Sequence, residues 1–122
     1  MAEAVDIFRV RSYIFVVARS RLIALVMGPE QGDRINRRKH GISFETAVRV
    51  FSDPFAMSEQ DRIEDGEERW RTIGLIEGAV VVLVAHAFRE DPDGTATIRV
   101  ISARRATRHE RRRYEEERRR HL

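Results

Sequence analysis

The sequence predicts an α+β fold, with N-terminal helices packed on a small antiparallel β-sheet and an Arg-rich helix at the C-terminus. Three observations lead there. Residues 43–51 place apolar side chains at helical spacing, residues 69–102 read as strands separated by turn signals, and residues 107–120 open on a helix-capping pattern. A chain of 122 residues, 42% hydrophobic and 35% charged, is long enough for one modest core and composed as a folded domain.

Taken in order, residues 1–28 form an N-terminal extension that reads as either an extra strand or hairpin or a short helix, and residues 29–122 form the main domain. Gly28-Pro29 stops the extension. Pro29 is placed to start a polar helix running to His40, and Gly41 to end it. Ser43 is a natural N-cap for a second helix, in which Phe44, Ala47, Val48 and Phe51 share one buried stripe, closed by Asp53-Pro54. Phe55 to Met57 suggest a short edge strand before an acidic loop. Arg69 to Ile76 and Ala79 to Phe88 then read as strands around a Glu77-Gly78 turn. The second of these is apolar up to His86, as a strand covered on both faces would be. After the turn Asp91-Pro92-Asp93-Gly94, residues 95–102 put Ile98 and Val100 on one face and Thr97 and Arg99 on the other. Thr107 and Glu110 form a capping box for the last helix, whose apolar residues, Ala106, Tyr114 and Leu122, are too few to bury it well.

Charge is unevenly spread. Residues 104–120 hold nine Arg against four Glu, an excess larger than the whole chain's net +3, so the remainder is net acidic. Residues 53–68 carry seven acidic side chains and one Arg. An Arg-rich end suits a polyanion partner, because Arg neutralises phosphates and releases their counterions. A solvated helix laced with Glu–Arg pairs would look the same. Neither apolar run near the N-terminus is long enough to cross a bilayer, and Glu3 and Asp6 sit where a signal peptide carries positive charge, so a cytoplasmic protein is expected.

Several chemistries lack their residues. There is no cysteine, no phosphate-cradling Gly-rich loop and no nucleophile elbow. The segment DRIEDGEERWRT superficially resembles a calcium loop, but Ile63 and Thr72 stand where oxygen ligands are needed. The four histidines have no zinc-type spacing, so no metal and no cofactor are expected. What remains is Lys39, His40, Arg69, His86, Arg89, Arg99 and Arg104. Each has an ordinary structural explanation taken singly. Together they match metal-free RNA cleavage, which needs a base for the ribose 2′-OH, cations for the phosphorane and an acid for the leaving oxygen. Histidine can move the protons, and the planar fork of Arg can hold the charge.

DRINRRKHGISFETAVRVFSDP, EERWRTIGL, VVLVAH and RVISARRATRHERRRYEE, in that order, resemble the BrnT family of type II toxin–antitoxin toxins from Asp33 to Glu116. The resemblance rests on K-H-G-x-S-F-E and on I-S-A-R-x-A followed by E-x-x-x-Y. It implies a RelE-like ribonuclease fold, RNA cleavage that blocks translation, and neutralisation by a BrnA-like antitoxin in a hetero-oligomer that binds operator DNA through the antitoxin. The family pattern maps onto Lys39, His40, Gly41, Arg69, His86, Arg89, Arg99, Ser102, Arg104, Glu110 and Tyr114. On that reading Arg89 and Arg104 stabilise phosphate charge, and His40 or His86 transfers protons. Lys39, Arg69, Arg99, Arg108 and Arg112 then bind RNA, with Ser102, Glu110 and Tyr114 in support. One departure stands out. Family members usually carry a W-D-P-x-K-like segment before the first helix, where this chain has VMGPEQGDRIN. The alternative reading is therefore a catalytically degenerate homologue that binds its antitoxin as a co-repressor, or binds nucleic acid without cutting it.

Overall fold

The computed structural model describes residues 6–10, 13–18, 21–26 and 30–121. Gly28-Pro29, read above as the end of the extension, and Leu122 lie outside the described residues. Three strands come first: β1 (Asp6–Val10), β2 (Tyr13–Ala18) and β3 (Arg21–Val26). Helix α1 (Glu30–His40) follows, acidic in its first turn and basic in its last, which complements the helix dipole at both ends. Gly41 stops it at φ 74°, donating its N–H to the Arg37 carbonyl at 2.8 Å. Within α1, Asn36 is buried and fully bonded. It donates to the carbonyls of Ile42 and Ala103 at 2.9 Å each and accepts the Ala103 N–H at 3.0 Å, clamping the helix to the sheet.

Helix α2 (Phe44–Ala47) is a single turn, capped by Ser43, whose Oγ accepts the Thr46 N–H at 3.1 Å. The chain then tightens into a 3₁₀ segment, Val48–Ser52. This corrects the expected continuous stripe. Three residues per turn, instead of 3.6, make Val50 the fully buried side chain and leave Phe51 partly covered.

The remaining elements are β4 (Met57–Glu64), β5 (Glu67–Ile76), β6 (Val80–Glu90), β7 (Ala96–Arg105) and α3 (Arg108–Arg120). The expectation of a small antiparallel sheet also needs correction. Among the described residues the sheet has seven strands in the order β1-β2-β3-β7-β6-β5-β4, and β3 runs parallel to β7 from Ile23↔Ala96 to Val26↔Arg99. Periodicity marks strands but carries no information on which neighbour each chooses. The supposed acidic loop is the long edge strand β4, joined to β5 through Asp65 and Gly66, both at positive φ as a tight hairpin requires. Its run of charged side chains hides the strand pattern; Glu59 faces Arg71 across the ladder and also bonds Arg113 of α3.

The sheet is covered on both faces. On one face Phe44, Ala47, Val48 and Val50 pack on Val82, Val84, Val100 and Ala103. On the other, Ile73, Val81 and Leu83 receive Tyr114 of α3. Tyr114 is 1% exposed and donates its hydroxyl to Asp53 Oδ2 at 2.5 Å, while the Arg118 guanidinium lies over the Phe55 ring. One aromatic anchor thus docks a helix that is otherwise largely polar.

Candidate active site

Paired residues on neighbouring strands point to the same side of a sheet, so the register assigns each charged side chain to a face. Leu83 is paired with Ile73 and Arg104, Ala85 with Arg71 and Ser102, and Ala87 with Arg69 and Arg99. Arg89 pairs with Thr97 on the same side. Tyr114 covers the Leu83 end of this face. Beyond it, Arg69, Arg71, Arg99, Arg104 and Ser102 flank the central strand β6 on this face, which contributes Ala85 and Ala87 and, at its end, Arg89. Small residues flanked by long cationic ones make a trough. Toward its far end lies an open groove of about 620 Å³ whose lining includes Gly66, Glu67, Ala87, Arg89, Thr97 and Arg99.

A β-bulge brings Arg104 there. Ala85 faces Ser102 while His86 faces Val100, so Ile101 is an extra residue in β7. Strict alternation from Val100 would have turned Ser102 and Arg104 into the core. The extra residue reverses the phase, and Ala103 is buried in their place.

Each arginine of the trough carries a carboxylate partner. Glu67 Oε1 lies 3.1 Å from Arg69 and 2.5 Å from Arg99. Glu59 bonds Arg113 of α3 and lies 3.8 Å from Arg71; the bond to Arg113 holds its carboxyl below the usual range. Arg89 pairs with Asp91 at 3.4 Å. Arg104 grips Glu110 with two bonds of 2.8 and 3.0 Å, and those bonds lower the Glu110 carboxyl to about 2. Glu110 also accepts the Thr107 N–H at 2.8 Å, completing the capping box of α3. At neutral pH Glu110 is therefore an anchor for Arg104 and holds no proton to give.

Neither candidate imidazole joins this face. His86 pairs with Trp70 and Val100, in phase with Val84, which puts it on the helix-covered side of the sheet. It is 4% exposed, stacked edge-on against Phe51, with Nε2 2.7 Å from Thr72 Oγ1, which in turn lies 2.8 Å from Ser58 Oγ. Its Nδ1 is buried without a partner. Burial pushes the imidazole down to about 4. His40 ends α1, the helix clamped to β7 through Ala103 on that same opposite side. The expected convergence with Arg89 and Arg104 is thus corrected for His86 by the phase of β6, a strand too uniformly apolar for its sequence to assign its faces, and for His40 by the packing of α1 on the opposite side.

Burial of a neutral His86 makes stability pH-dependent. The unfolded chain takes up the imidazole proton near pH 6.5 and the folded chain only near 4, so stability is present above the first value and falls as pH drops between them. We expect a loss of up to about 1.4 kcal/mol per pH unit across that window. Denaturant melts of the native chain and His86→Gln between pH 7 and 4.5 test this: equal slopes in the two proteins would contradict it.

Lys39, also on α1, is exposed and apart from the trough. Arg108 and Arg112 form with Arg111 and Glu115 an outward patch on α3, away from Tyr114. Tyr114 is a buried anchor whose hydroxyl is pushed well above the ordinary tyrosine range, first by burial and then by Asp53. Arg71, Arg113, Glu59 and Glu67 join the site without having been among the sequence candidates. Arg71 and Glu67 were discoverable, because they alternate with Arg69 along EERWR.

A family model described as "Ribonuclease toxin, BrnT, of type II toxin-antitoxin system" matches residues 30–110. Among solved structures, the chain is similar to the Brucella abortus ribonuclease toxin, BrnT, at 22% sequence identity and a TM-score of 0.48, over 69% of this chain and 97% of that one. No curated protein matches the chain. The family match leaves β1, β2 and β3 outside it. Among the described residues no helix is long and apolar enough to cross a membrane.

Proposed function

From the premise that the chain belongs to the BrnT family of ribonuclease toxins of type II toxin–antitoxin systems, we propose that the arginine-lined trough cleaves RNA without a metal and so blocks translation. The observation that carries this reading is the gathering of Arg69, Arg71, Arg89, Arg99 and Arg104 on one sheet face over a floor of alanines. An RNA backbone laid along the floor meets guanidinium groups from β5 on one side and from β7 on the other. When the 2′-oxygen attacks phosphorus, the added negative charge falls among donors already held in place, Arg104 foremost. The trough contributes charge and position, and solvent carries the protons. His86 keeps the core in order on the opposite side, and His40 and Lys39 lie outside the reacting region.

The antitoxin is of the BrnA type, and contacts with operator DNA run through it. A RelE-like relationship, with α1 and α2 on one face of the sheet and the catalytic groups beside α3 on the other, is in keeping with this reading, as is action in the cytoplasm. Purified chain should cut RNA in the presence of a chelator and leave 2′,3′-cyclic phosphate ends, and His40→Ala should cut as well as the native chain. A requirement for divalent metal, or loss of cutting in His40→Ala, would overturn this mechanism. The second reading is a non-catalytic antitoxin binder, favoured by the absence of either imidazole from the trough. Intact RNA beside full antitoxin binding would establish it.

A further inference from the structure

The carboxylates in the trough are arranged unlike ordinary surface partners. One oxygen of Glu67 bridges Arg69 of β5 and Arg99 of β7, reaching across β6 above Ala87. Glu59 lies between Arg113 of α3 and Arg71 of β5, with one oxygen toward each, the second at 3.8 Å. In both places one anionic group sits between two guanidinium groups from different elements, which is how a phosphate would be held. The fit is incomplete. The Nε atoms of Arg69 and Arg71 are buried and have no hydrogen-bond partner, so each guanidinium keeps a donor that its glutamate does not meet.

We infer that Glu67 and Glu59 are built-in phosphate surrogates, marking two backbone-phosphate subsites in the trough: one between Arg69 and Arg99, the other between Arg71 and Arg113. The inference rests on the RNA-binding reading above and refines it. In the free protein the two carboxylates keep the arginines ordered and partly neutralised. RNA binds by displacing them, each phosphate taking over a guanidinium pair while the glutamate swings to solvent. Internal competition of this kind keeps affinity for any polyanion moderate and favours release of cut RNA.

The test uses the full chain and a short 2′-O-methyl RNA, which cannot be cleaved, with affinity followed across salt concentrations. Glu67→Gln and Glu59→Gln keep the side-chain shape and remove the competing charge. Each is expected to bind roughly tenfold more tightly at low salt, with the advantage shrinking as salt rises and the salt slope steepening by about one phosphate contact. Glu67→Asp, too short to span both guanidinium groups, provides a second arm if a Gln variant fails to fold, and should also bind more tightly. Unchanged or weaker binding in the folded variants overturns the inference. The two readings fail separately. Native chain that cuts RNA while its variants gain no affinity removes the surrogates alone, whereas tighter binding by the variants of a chain that never cuts removes the ribonuclease mechanism and leaves the subsites.

Discussion

Arg104→Ala is expected to lower RNA cleavage by about a hundredfold to a thousandfold, the loss seen when one preorganised donor is removed from a developing oxyanion. Arg104 stands where β7 meets α3, its guanidinium oriented by two bonds to Glu110 while the side chain stays 37% exposed toward the trough. That is the arrangement a charge-stabilising group needs: fixed on one side, open on the other. The same bonds help order the start of α3, so the fold must be checked separately. The Thr107 N–H still reaches Glu110 in the variant, and Tyr114 still anchors the helix, so the melting temperature should fall only slightly. Arg104→Lys keeps the charge but loses the two-point grip on Glu110, and should recover only part of the rate. Undiminished cleavage by a folded Arg104→Ala protein would end the assignment.

The second large effect concerns stability. A methyl group added at Gly74 would lie 2.9 Å from both the Cβ and the carbonyl oxygen of Val50, and 3.2 Å from its Cα. Two of those three atoms are backbone, and Val50 is wholly buried, so no rotamer change relieves the clash. The 3₁₀ segment would have to lift off β5, opening the core on the helix-covered face. We expect Gly74→Ala to cost about 3 kcal/mol, a large share of the stability of a domain this size. Gly32→Ala is the contrast: its methyl group would meet Phe44 at an ordinary 3.8 Å, inside a helix where alanine is favoured. A thermal melt in which Gly74→Ala is as stable as the native chain would show that the 3₁₀ segment packs more loosely than described.

Much of the fold was legible where local chemistry decides it. The end of α1 at Gly41, the Ser43 cap, the Thr107–Glu110 capping box and the turn at residues 91–94 depend on bonds within a few residues, which a sequence displays directly. The strands from Arg69 and from Ala79 were recognisable from their apolar and β-branched runs, although each begins or ends a residue or two away. The edge strand β4 was not legible, because its stabilising partners are arginines some distance along the chain.

The candidate site divides along the same line. Residue identity and spacing supply an inventory, a set of arginines and four histidines without metal-ligand spacing, together with the motifs that place the chain in its family. Which of those groups meet is settled by how the strands pair and bulge. The reason is phase: on a strand, one inserted residue moves every later side chain to the other face. Ile101 is that residue in β7, and it sends Arg104 to join Arg99, while the uninterrupted alternation of Val82, Val84 and His86 keeps the imidazole on the far side, buried and neutral.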